Sequence, residues 1–531
     1  MVWTSVAALI PLILCGLCIL PGECHPKSNI LVVPVDGSHW VNMVVILKEL
    51  HSRGHNLTVI RSQKSWYIPE KSPIYTSISV KSLVDEFDLS FYDRMLRRHL
   101  EYRKSSRLLR TIYIQADMGR MMIDGHDTLT RSVKLMFEDH AFMAKMRDTK
   151  FDLMLTDPGL PMGVFLARRL NLPTVFNVRW INMGDSHFTF APSPLSYVPI
   201  TGSELSDKMD FFERTLNMLV HISQSLQYYF IMEPSYRELF DTYFPPGTDL
   251  LSIELAADLW LVRADFVFEF PRPTMPNVVY IGGFQCRPAK PLPEDLEAFM
   301  QSSGEHGVVI MSLGTLIAAL PKEVTEAIAA VFAQLPQKFV WRYIGERPTT
   351  LGNNTLLVDW FPQNDLLGHP KTRAFVAHGG TNGMYEAIYH GIPVVGLPLL
   401  FDQFDNVLRL QVRGAARVLE ATSLTPAEFK EALQDVLENP SYQEAMQRLS
   451  RLHRDRPIEP LDSATFWIEY VLRNKGAGHL RSEGYHLPWY VYHSVDVILL
   501  LLALLCLSVW VFITVCRFML RLVCKRKTKV E

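Results

Sequence analysis

A glycine-rich turn between a predicted strand and a predicted helix is the segment of this chain best suited to bind phosphate. The strand ends at Ala377, the sequence HGGTNG fills His378 to Gly383, and the helix that follows ends at Gly391 and Pro393. Glycine lets the backbone approach a ligand closely, and the free amides and dipole at a helix start attract an anion. Many α/β proteins contain one such turn, so it indicates a phosphate site without specifying the reaction.

A histidine and an aspartate, far apart in sequence, each follow a predicted strand. His39 comes after the apolar run 29–35, and Asp157 directly follows the run 151–156. The carboxyl ends of parallel strands form the ligand-binding edge of an open α/β sheet, so both side chains could reach one site. Imidazole is mostly neutral at pH 7 and can accept a proton. The pair is therefore a candidate for acid–base chemistry, while the alternative is a structural histidine and a turn at Asp157-Pro158.

The order and spacing of residues 360–406 resemble the donor-binding signature of the UDP-glycosyltransferases, and of the vertebrate UDP-glucuronosyltransferases in particular. Besides the glycine turn, this stretch contains WFPQN at 360–364 and Asp402-Gln403. The similarity runs from SHW at 38–40 to the basic C-terminal tail and is stronger in the second half. It implies an α/β fold of the GT-B type, with two doubly wound Rossmann-like domains facing across a cleft and one C-terminal transmembrane helix.

The resemblance also implies transfer of a sugar from a UDP-sugar to a hydroxyl of a small lipophilic acceptor, and it assigns roles to residues. Trp360 would stack on uracil, Gln363 would bond the uridine, and Glu386 would accept both ribose hydroxyls. Asp402 and Gln403 would bond the sugar hydroxyls. The diphosphate would be surrounded by Ser312, Thr315, His378, Gly380, Asn382 and, from the first half, Arg263. Structural roles stay open for single residues, since Trp360 could be core and Asp402 could cap the following helix.

In the family, the histidine that matches His39 takes the acceptor proton, and the aspartate that matches Asp157 orients the ring and stabilises the imidazolium. These positions offer a base but no obvious nucleophile, so the expected reaction is a single displacement with inversion. The sequence contains no D-x-D motif. We therefore expect metal-independent transfer, without a cofactor, in which the helix terminus and Arg263 carry the leaving-group charge.

The favoured donor is UDP-glucuronic acid, used as a co-substrate. Nothing in Asp402-Gln403 itself proves a carboxylate-bearing sugar, so UDP-glucose, UDP-galactose and UDP-N-acetylglucosamine stay open as donors. A catalytically silent partner of active relatives is the alternative from another class, and the presence of both His39 and Asp157 argues against it. The sequence lacks G-x-G-x-x-G, G-x-S-x-G and H-E-x-x-H, which removes the main support for dehydrogenase, hydrolase and zincin functions.

Strands and helices alternate in both halves and would position these residues. In the first half, strands are predicted at 29–35, 57–60, 151–156, 173–178, 259–262 and 278–281, with helix-rich stretches at 85–147 and 205–242. In the second half, strands are predicted at 308–311, 338–342, 355–358, 374–377, 394–397 and 417–419. Three prolines within 287–293 mark a linker. We therefore predict an acceptor-binding domain at 25–285 and a UDP-sugar-binding domain at 286–475.

The two apolar ends of the chain predict its topology. Residues 1–24 resemble a cleaved secretory signal peptide, and residues 497–516 carry no charge over a length that spans about 30 Å as a helix. A juxtamembrane segment, 476–496, precedes this span. The basic segment 517–531, whose Lys527 and Lys529 resemble a dilysine retrieval signal, would stay in the cytosol. We predict a single-pass type I protein of the endoplasmic-reticulum membrane with its body in the lumen.

Charge and cysteine usage agree with a lumenal enzyme body. The net charge of -2 combines a charge of -6 on the main body with a basic C-terminal tail. This near-neutral charge does not indicate a nucleic-acid partner. Cys286 is the one cysteine of the predicted body, so neither an internal disulfide nor a cysteine metal site is expected there. Asn56 and Asn353 begin glycosylation sequons. The anchor predicts contact with membrane lipid and makes homo- or hetero-oligomers with relatives plausible.

Overall fold

The computed structural model of the chain describes residues 27–81, 89–179, 186–314 and 320–527. The predicted signal peptide, Thr315 and the last four residues of the predicted tail lie outside the described residues. The chain divides into two compact units, Met1–Leu480 and Arg481–Glu531.

A seven-stranded parallel sheet forms the first domain of the larger unit within the part of the chain that is described. Its strand order is β3-β2-β1-β4-β5-β6-β7. The strands are β1 Asn29–Val33, β2 Asn56–Ser62, β3 Thr76–Val80, β4 Leu153–Thr156, β5 Thr174–Val178, β6 Leu259–Val262 and β7 Val278–Tyr280. Strands β4, β5 and β6 are buried along their whole length. Burial on both faces is typical of parallel sheets covered by helices, which is why short apolar runs predicted these strands.

A six-stranded parallel sheet forms the second domain, again among the described residues. Its order is β10-β9-β8-β11-β12-β13. The strands are β8 Val308–Ser312, β9 Lys338–Arg342, β10 Thr355–Val358, β11 Thr372–Ala377, β12 Val394–Gly396 and β13 Ala416–Val418. The segment 287–293 between the two sheets contains neither helix nor strand, as the prolines predict. Two doubly wound α/β domains are thereby confirmed.

Strand β3 is one element that the sequence did not predict. It reads TSISV and lies at the edge of the first sheet, where it pairs with β2 alone. Its residues are exposed or half-buried. An edge strand with this composition lacks the apolar run on which strand prediction depends.

Helices cover both sheets and connect the strands. In the first half they are α1 Ser38–Ser52, α2 Leu89–Arg103, α3 Arg107–Glu138, α4 His140–Asp148, α5 Met162–Leu170, α6 His187–Phe190, α7 Phe211–Gln227, α8 Glu233–Tyr243 and α9 Leu250–Leu255, with a π-helical turn at Tyr228–Met232. In the second half they are α10 Glu294–Gln301, α11 Lys322–Phe332, α12 Gln363–Leu367, α13 Thr381–His390, α14 Gln403–Gln411, α15 Pro426–Glu438, α16 Pro440–Arg454 and α17 Pro460–Asn474.

Two helices pack against the sheet of the other half of the chain. Ala464, Ile468 and Val471 of α17 join the buried core of the first sheet, although residues 460–474 fall within the predicted second domain. Met95 and Leu96 of α2 join the core of the second sheet. Spatial domains therefore differ from the predicted sequence boundaries, because packing of an apolar helix face is not limited to neighbours in sequence.

The smaller unit contains the short helix α18 Trp489–Tyr492 and the long helix α19 Val495–Lys527. Residues Val495–Leu522 form the one stretch of the described chain that is long and apolar enough to cross a membrane, judged by length and composition. It contains the predicted span 497–516 and extends it at both ends. A C-terminal apolar helix of this kind fits a membrane anchor.

Candidate active site

The predicted catalytic pair lies at the carboxyl edge of the first sheet. His39 is the second residue of α1, which begins shortly after β1, and Asp157 directly follows β4. Strands β1 and β4 are neighbours, with Val33 opposite Thr156. His39 Nδ1 and Asp157 Oδ2 are 2.6 Å apart, and the side chains are 12% and 1% exposed. The two residues that the sequence placed at one sheet edge are thus in contact.

The surroundings of Asp157 keep its carboxyl group ionised. Burial alone would raise its pKa, but His39, the guanidinium of Arg263 and the amide of Gly159 together hold the pKa below its ordinary value. The Gly159 amide donates to Asp157 Oδ1 at 2.9 Å. When the His39 ring is neutral, an ionised carboxylate accepts the proton on Nδ1, which leaves Nε2 as the basic nitrogen. This tautomer is the one that a general base requires.

Arg263 follows β6 and is buried beside this pair. Its Nη2 lies 3.1 Å from His39 Nδ1 and 3.5 Å from Asp157 Oδ2. Because both the guanidinium and Nδ1–H are donors, we interpret the short approach as an attraction between Arg263 and the shared carboxylate. The sequence assigned Arg263 to the diphosphate, and its contact with the catalytic pair is an additional finding.

The glycine turn leads from β11 into α13, as predicted. Gly379 has φ 91°, and a Cβ there would lie 2.7 Å from the backbone oxygen of Gln403. The ring of His378 fits between Gly314 and Gly380, since a Cβ at either position would lie 2.5 Å from its Nε2. Burial lowers the pKa of His378 to about 4. The imidazole is therefore neutral and can contribute a hydrogen bond to a phosphate, but not a charge.

The residues assigned to uridine lie together in the second domain. Trp360 is 62% exposed, so it is not part of the core. Gln363 Nε2 donates to Glu386 Oε2 at 2.6 Å. Burial raises the pKa of Glu386 to about 7, although the bond from Gln363 acts in the opposite direction. Arg342 at the end of β9, which the sequence did not single out, has its guanidinium carbon 5.2 Å from the centre of the Trp360 ring.

The two residues assigned to the sugar begin α14. Asp402 occupies the N-cap position, but its side chain makes no capping hydrogen bond. Its Oδ2 accepts from Asn406 Nδ2 at 2.9 Å and from Thr381 Oγ1 at 3.3 Å. Gln403 Oε1 accepts the backbone amides of Leu399 and Leu400, each at 2.9 Å. Any bond from the Gln403 side chain to a sugar hydroxyl would therefore come from its amide nitrogen.

Helix α1 of the first domain meets α13 of the second across the cleft. Asn42 Nδ2 donates to Asn382 Oδ1 at 2.7 Å. The buried Ser312 ends β8, and its Oγ accepts the amide of Gly314 at 3.3 Å. The predicted phosphate residues Ser312, His378, Gly380 and Asn382 thus lie around the start of α13, facing the helix that carries His39.

A small cavity adjoins this cleft. Arg179 and Asp402 lie in its wall, together with the polar side chains of His187 and Thr201. Glu269, Arg272 and Arg409 also line the cavity, and the rest of its wall is apolar and includes Val198, Val262, Phe266 and Phe270. Arg179 directly follows β5 at the sheet edge where functional residues were expected, so its position could have identified it. Away from this region, the sequon residues Asn56 and Asn353 are both exposed.

Known proteins resemble the chain over most of its length. A family model described as "UDP-glucoronosyl and UDP-glucosyl transferase" matches residues 28–530. Human UDP-glucuronosyltransferase 2A2 is 41% identical over 501 residues, covering 93% of this chain and 92% of the human protein. UDP-glucuronosyltransferase 2B1 of Rattus norvegicus is 42% identical over 532 residues, covering 99% of this chain and 97% of the rat protein.

Solved structures show the fold. The calicheamicin glycosyltransferase CalG4 has a TM-score of 0.52 at 19% identity, covering 84% of this chain and 99% of that chain. A variant of Os79 from O. sativa, solved in complex with UDP, has a TM-score of 0.55 at 16% identity and covers 83% of this chain and 100% of that chain. Together with the two parallel sheets, these similarities confirm the GT-B architecture.

Proposed function

The chain belongs to the UDP-glucuronosyl and UDP-glucosyl transferase family and is a UDP-glycosyltransferase, and from this premise we propose that it transfers glucuronic acid from UDP-glucuronic acid to a hydroxyl of a small lipophilic acceptor. The observation that carries the proposal is the 2.6 Å contact between His39 Nδ1 and Asp157 Oδ2 at the cleft. The names of the relatives favour glucuronic acid as the sugar. The apolar part of the cavity wall favours a lipophilic acceptor.

In the proposed reaction, His39 Nε2 removes the proton of the acceptor hydroxyl. The acceptor oxygen forms a bond to the anomeric carbon of the sugar while the bond from that carbon to the UDP oxygen breaks. The proton stays on His39, where the ionised Asp157 stabilises the imidazolium, until it passes to solvent. One displacement inverts the anomeric configuration. Among the matched positions, His39 and Asp157 supply a base and its partner but no second nucleophile.

The charge that develops on UDP would be stabilised by groups of both domains. The amides at the start of α13 and the neutral His378 would provide hydrogen-bond donors, and Arg263, which lies beside His39, would provide a positive charge. We propose that these groups suffice without a metal ion or a cofactor, in agreement with the absence of a D-x-D motif from the sequence. Trp360, Gln363 and Glu386 would hold the uridine, and Asp402 and Gln403 the sugar.

We further propose that α19 crosses the endoplasmic-reticulum membrane, in contact with its lipids, and that the catalytic body lies in the lumen. The apolar length of Val495–Leu522 and the basic residues near the C-terminus support this orientation. The exposed Asn56 and Asn353 would then be available for glycosylation. Association with itself or with relatives through the membrane segment is part of the same proposal.

A donor and acceptor panel tests the proposed function. Microsomes from cells that express the chain are supplied with UDP-glucuronic acid, UDP-glucose, UDP-galactose or UDP-N-acetylglucosamine and with phenols and steroids. Microsomes from the same cells without the chain are the control. We expect conjugates to form, with the highest kcat/KM for UDP-glucuronic acid. Preference for another donor would contradict the sugar assignment, and the absence of transfer from every donor would contradict the function.

A further inference from the structure

We propose that the sugar end of the donor site is completed by the first domain, and that Arg179 is the positioning residue that holds Asp402 there. This proposal rests on the proposed function, because it assumes that Asp402 bonds the donor sugar. It adds a division within the donor site: the uridine would be held by the second domain alone, and the sugar by both domains together.

Arg179 reaches from the end of β5 to two residues of the α14 region. Its Nη2 donates to Asn406 Oδ1 at 3.0 Å and lies 3.4 Å from Asp402 Oδ2. Its Nη1 donates to Glu269 Oε1 at 2.6 Å, which fixes the guanidinium in the first domain. The side chain is 12% exposed. A planar guanidinium with several partners in fixed directions sets the position of the groups that it bonds.

Asn406 is bonded to Asp402 and to the glycine turn, both within the second domain. Its Nδ2 donates to Asp402 Oδ2 and to the backbone oxygen of Gly379, each at 2.9 Å. The amide is fully buried. The bond to Gly379 does not involve Arg179 and stays when Arg179 is replaced, so Asn406 gives Arg179 a second contact with the predicted sugar ligand Asp402.

Neighbouring residues of α14 are also held from the first half of the chain. The guanidinium carbon of Arg103, from α2, lies 3.6 Å from the centre of the Phe404 ring. Arg103 pairs with Glu204 Oε1 at 2.7 Å and with Glu420 Oε2 at 2.7 Å, so it joins both domains. Asp405 accepts the backbone amides of Gly202 at 2.7 Å and Glu204 at 3.1 Å. The start of α14 thus has partners from the first half of the chain at Asp402, Phe404, Asp405 and Asn406.

The uridine end differs in its contacts. Gln363 bonds Glu386, and Arg342 lies over Trp360, all within the second domain. Arg179 bonds Glu269, Asp402 and Asn406 but none of the residues assigned to the uridine or the diphosphate, so its loss should weaken binding of the sugar more than binding of UDP. A residue that merely joins the domains would not distinguish the two ligands.

The experiment uses the full chain in lipid nanodiscs and compares UDP-glucuronic acid with UDP. For wild type and Arg179→Lys, we measure kcat and KM for UDP-glucuronic acid and Ki for UDP as a competitive inhibitor. Lysine keeps the charge but cannot bond Glu269 and Asn406 at once. We expect KM to rise about tenfold, since hydrogen bonds to a charged group are lost, while Ki for UDP changes less than about twofold. Equal rises in KM and Ki, or no change in KM, would overturn the proposal.

Arg456→Lys is the matched control. Arg456 also joins the two halves of the chain, through Asp265 and the backbone oxygen of Gly282, but these partners lie outside α14. We expect the substitution to lower thermal stability and to leave the ratio of KM to Ki unchanged. A raised ratio in Arg456→Lys would show that any lost domain contact has this effect, and it would overturn the assignment to Arg179.

A double-mutant cycle with Asp402→Asn tests whether Arg179 acts through Asp402. If it does, Arg179→Lys adds little to the KM of the Asp402→Asn variant, whereas independent effects would multiply. Multiplied effects would contradict the positioning role. Thermal shifts induced by UDP-glucuronic acid and by UDP give the same comparison without turnover. Failure of transfer would then contradict the proposed function alone, and unchanged selectivity between the two ligands would contradict this inference alone.

Discussion

Asn42 donates a hydrogen bond to Asn382 across the cleft, with 2.7 Å between Nδ2 and Oδ1. Asn42 lies one helical turn after His39 on α1, and Asn382 lies in the first turn of α13, where the phosphate would bind. This bond joins the helix that carries the proposed base to the helix that begins at the proposed phosphate site. Because the first domain carries the proposed base and the second the proposed site of the leaving group, the proposed reaction would depend on contacts that join the two domains.

Replacing Asn42 by alanine should lower kcat/KM by about fivefold, the value of one hydrogen bond, and leave Ki for UDP unchanged. The reason is that the base loses a positional constraint while the uridine contacts stay intact. Lys48→Ala, an exposed position on the same helix, is the control. Full activity in Asn42→Ala would show that this contact does not position the base.

Asp157→Asn should lower kcat by about 10²- to 10⁴-fold, because an amide cannot stabilise an imidazolium as a carboxylate does. It should also lower the melting temperature at pH 7. The folded pKa of Asp157 lies below its ordinary value of 3.8, so its ionisation stabilises the fold above that value and is lost as the pH falls through the folded pKa. Melting curves of wild type and Asp157→Asn at neutral and at strongly acidic pH check this. The same difference in melting temperature at both pH values would contradict it.

Binding of UDP-glucuronic acid should strengthen with pH around neutrality. Glu386 has a pKa of about 7 without ligand, and only its ionised form accepts both ribose hydroxyls. Between pH 6 and pH 8 the ionised fraction rises from about a tenth to about nine tenths, so affinity should rise by nearly tenfold. The dissociation constant measured across this range checks the trend. The Glu386→Gln variant should bind UDP-glucuronic acid more weakly and without this pH dependence. The same pH dependence in that variant would show that another group causes it.

Trp360→Ala should weaken the binding of UDP by roughly five- to hundredfold, since stacking of a base on an aromatic ring contributes about 1–3 kcal/mol. The ring is 62% exposed, so the melting temperature without ligand should hardly change. Inhibition constants for UDP, measured beside melting temperatures, separate the two effects. A large fall in stability with unchanged UDP affinity would show that Trp360 has the structural role that the sequence analysis left open.

Features that leave a local pattern in the sequence could be predicted, whereas contacts between residues far apart in the chain could not. Runs of apolar residues located strands such as β6 at Leu259–Val262, because burial on both faces leaves a local pattern. The contact of His39 with Asp157 followed from the edge that parallel strands share. Strand β3 was missed because its polar composition reflects an edge position.

Contacts between the halves of the chain had no local signature. The sequence around Arg179 predicts only that this residue follows a strand. Nothing in the sequence near Arg103 indicates a contact with Phe404, about three hundred residues away. The packing of α17 against the first sheet could not be predicted for the same reason. Such pairings depend on how two domains close on each other, which periodicity along the chain does not encode.

The most direct test of His39 as the general base is the turnover of His39→Ala in the full chain, with UDP-glucuronic acid and a phenol that wild type conjugates. We predict that kcat falls by about 10²- to 10⁴-fold, the usual contribution of a general base, while KM for the donor stays within about twofold. His51→Ala, an exposed histidine near the end of the same helix, should behave as wild type. Turnover of His39→Ala at the wild-type rate would contradict the proposed mechanism.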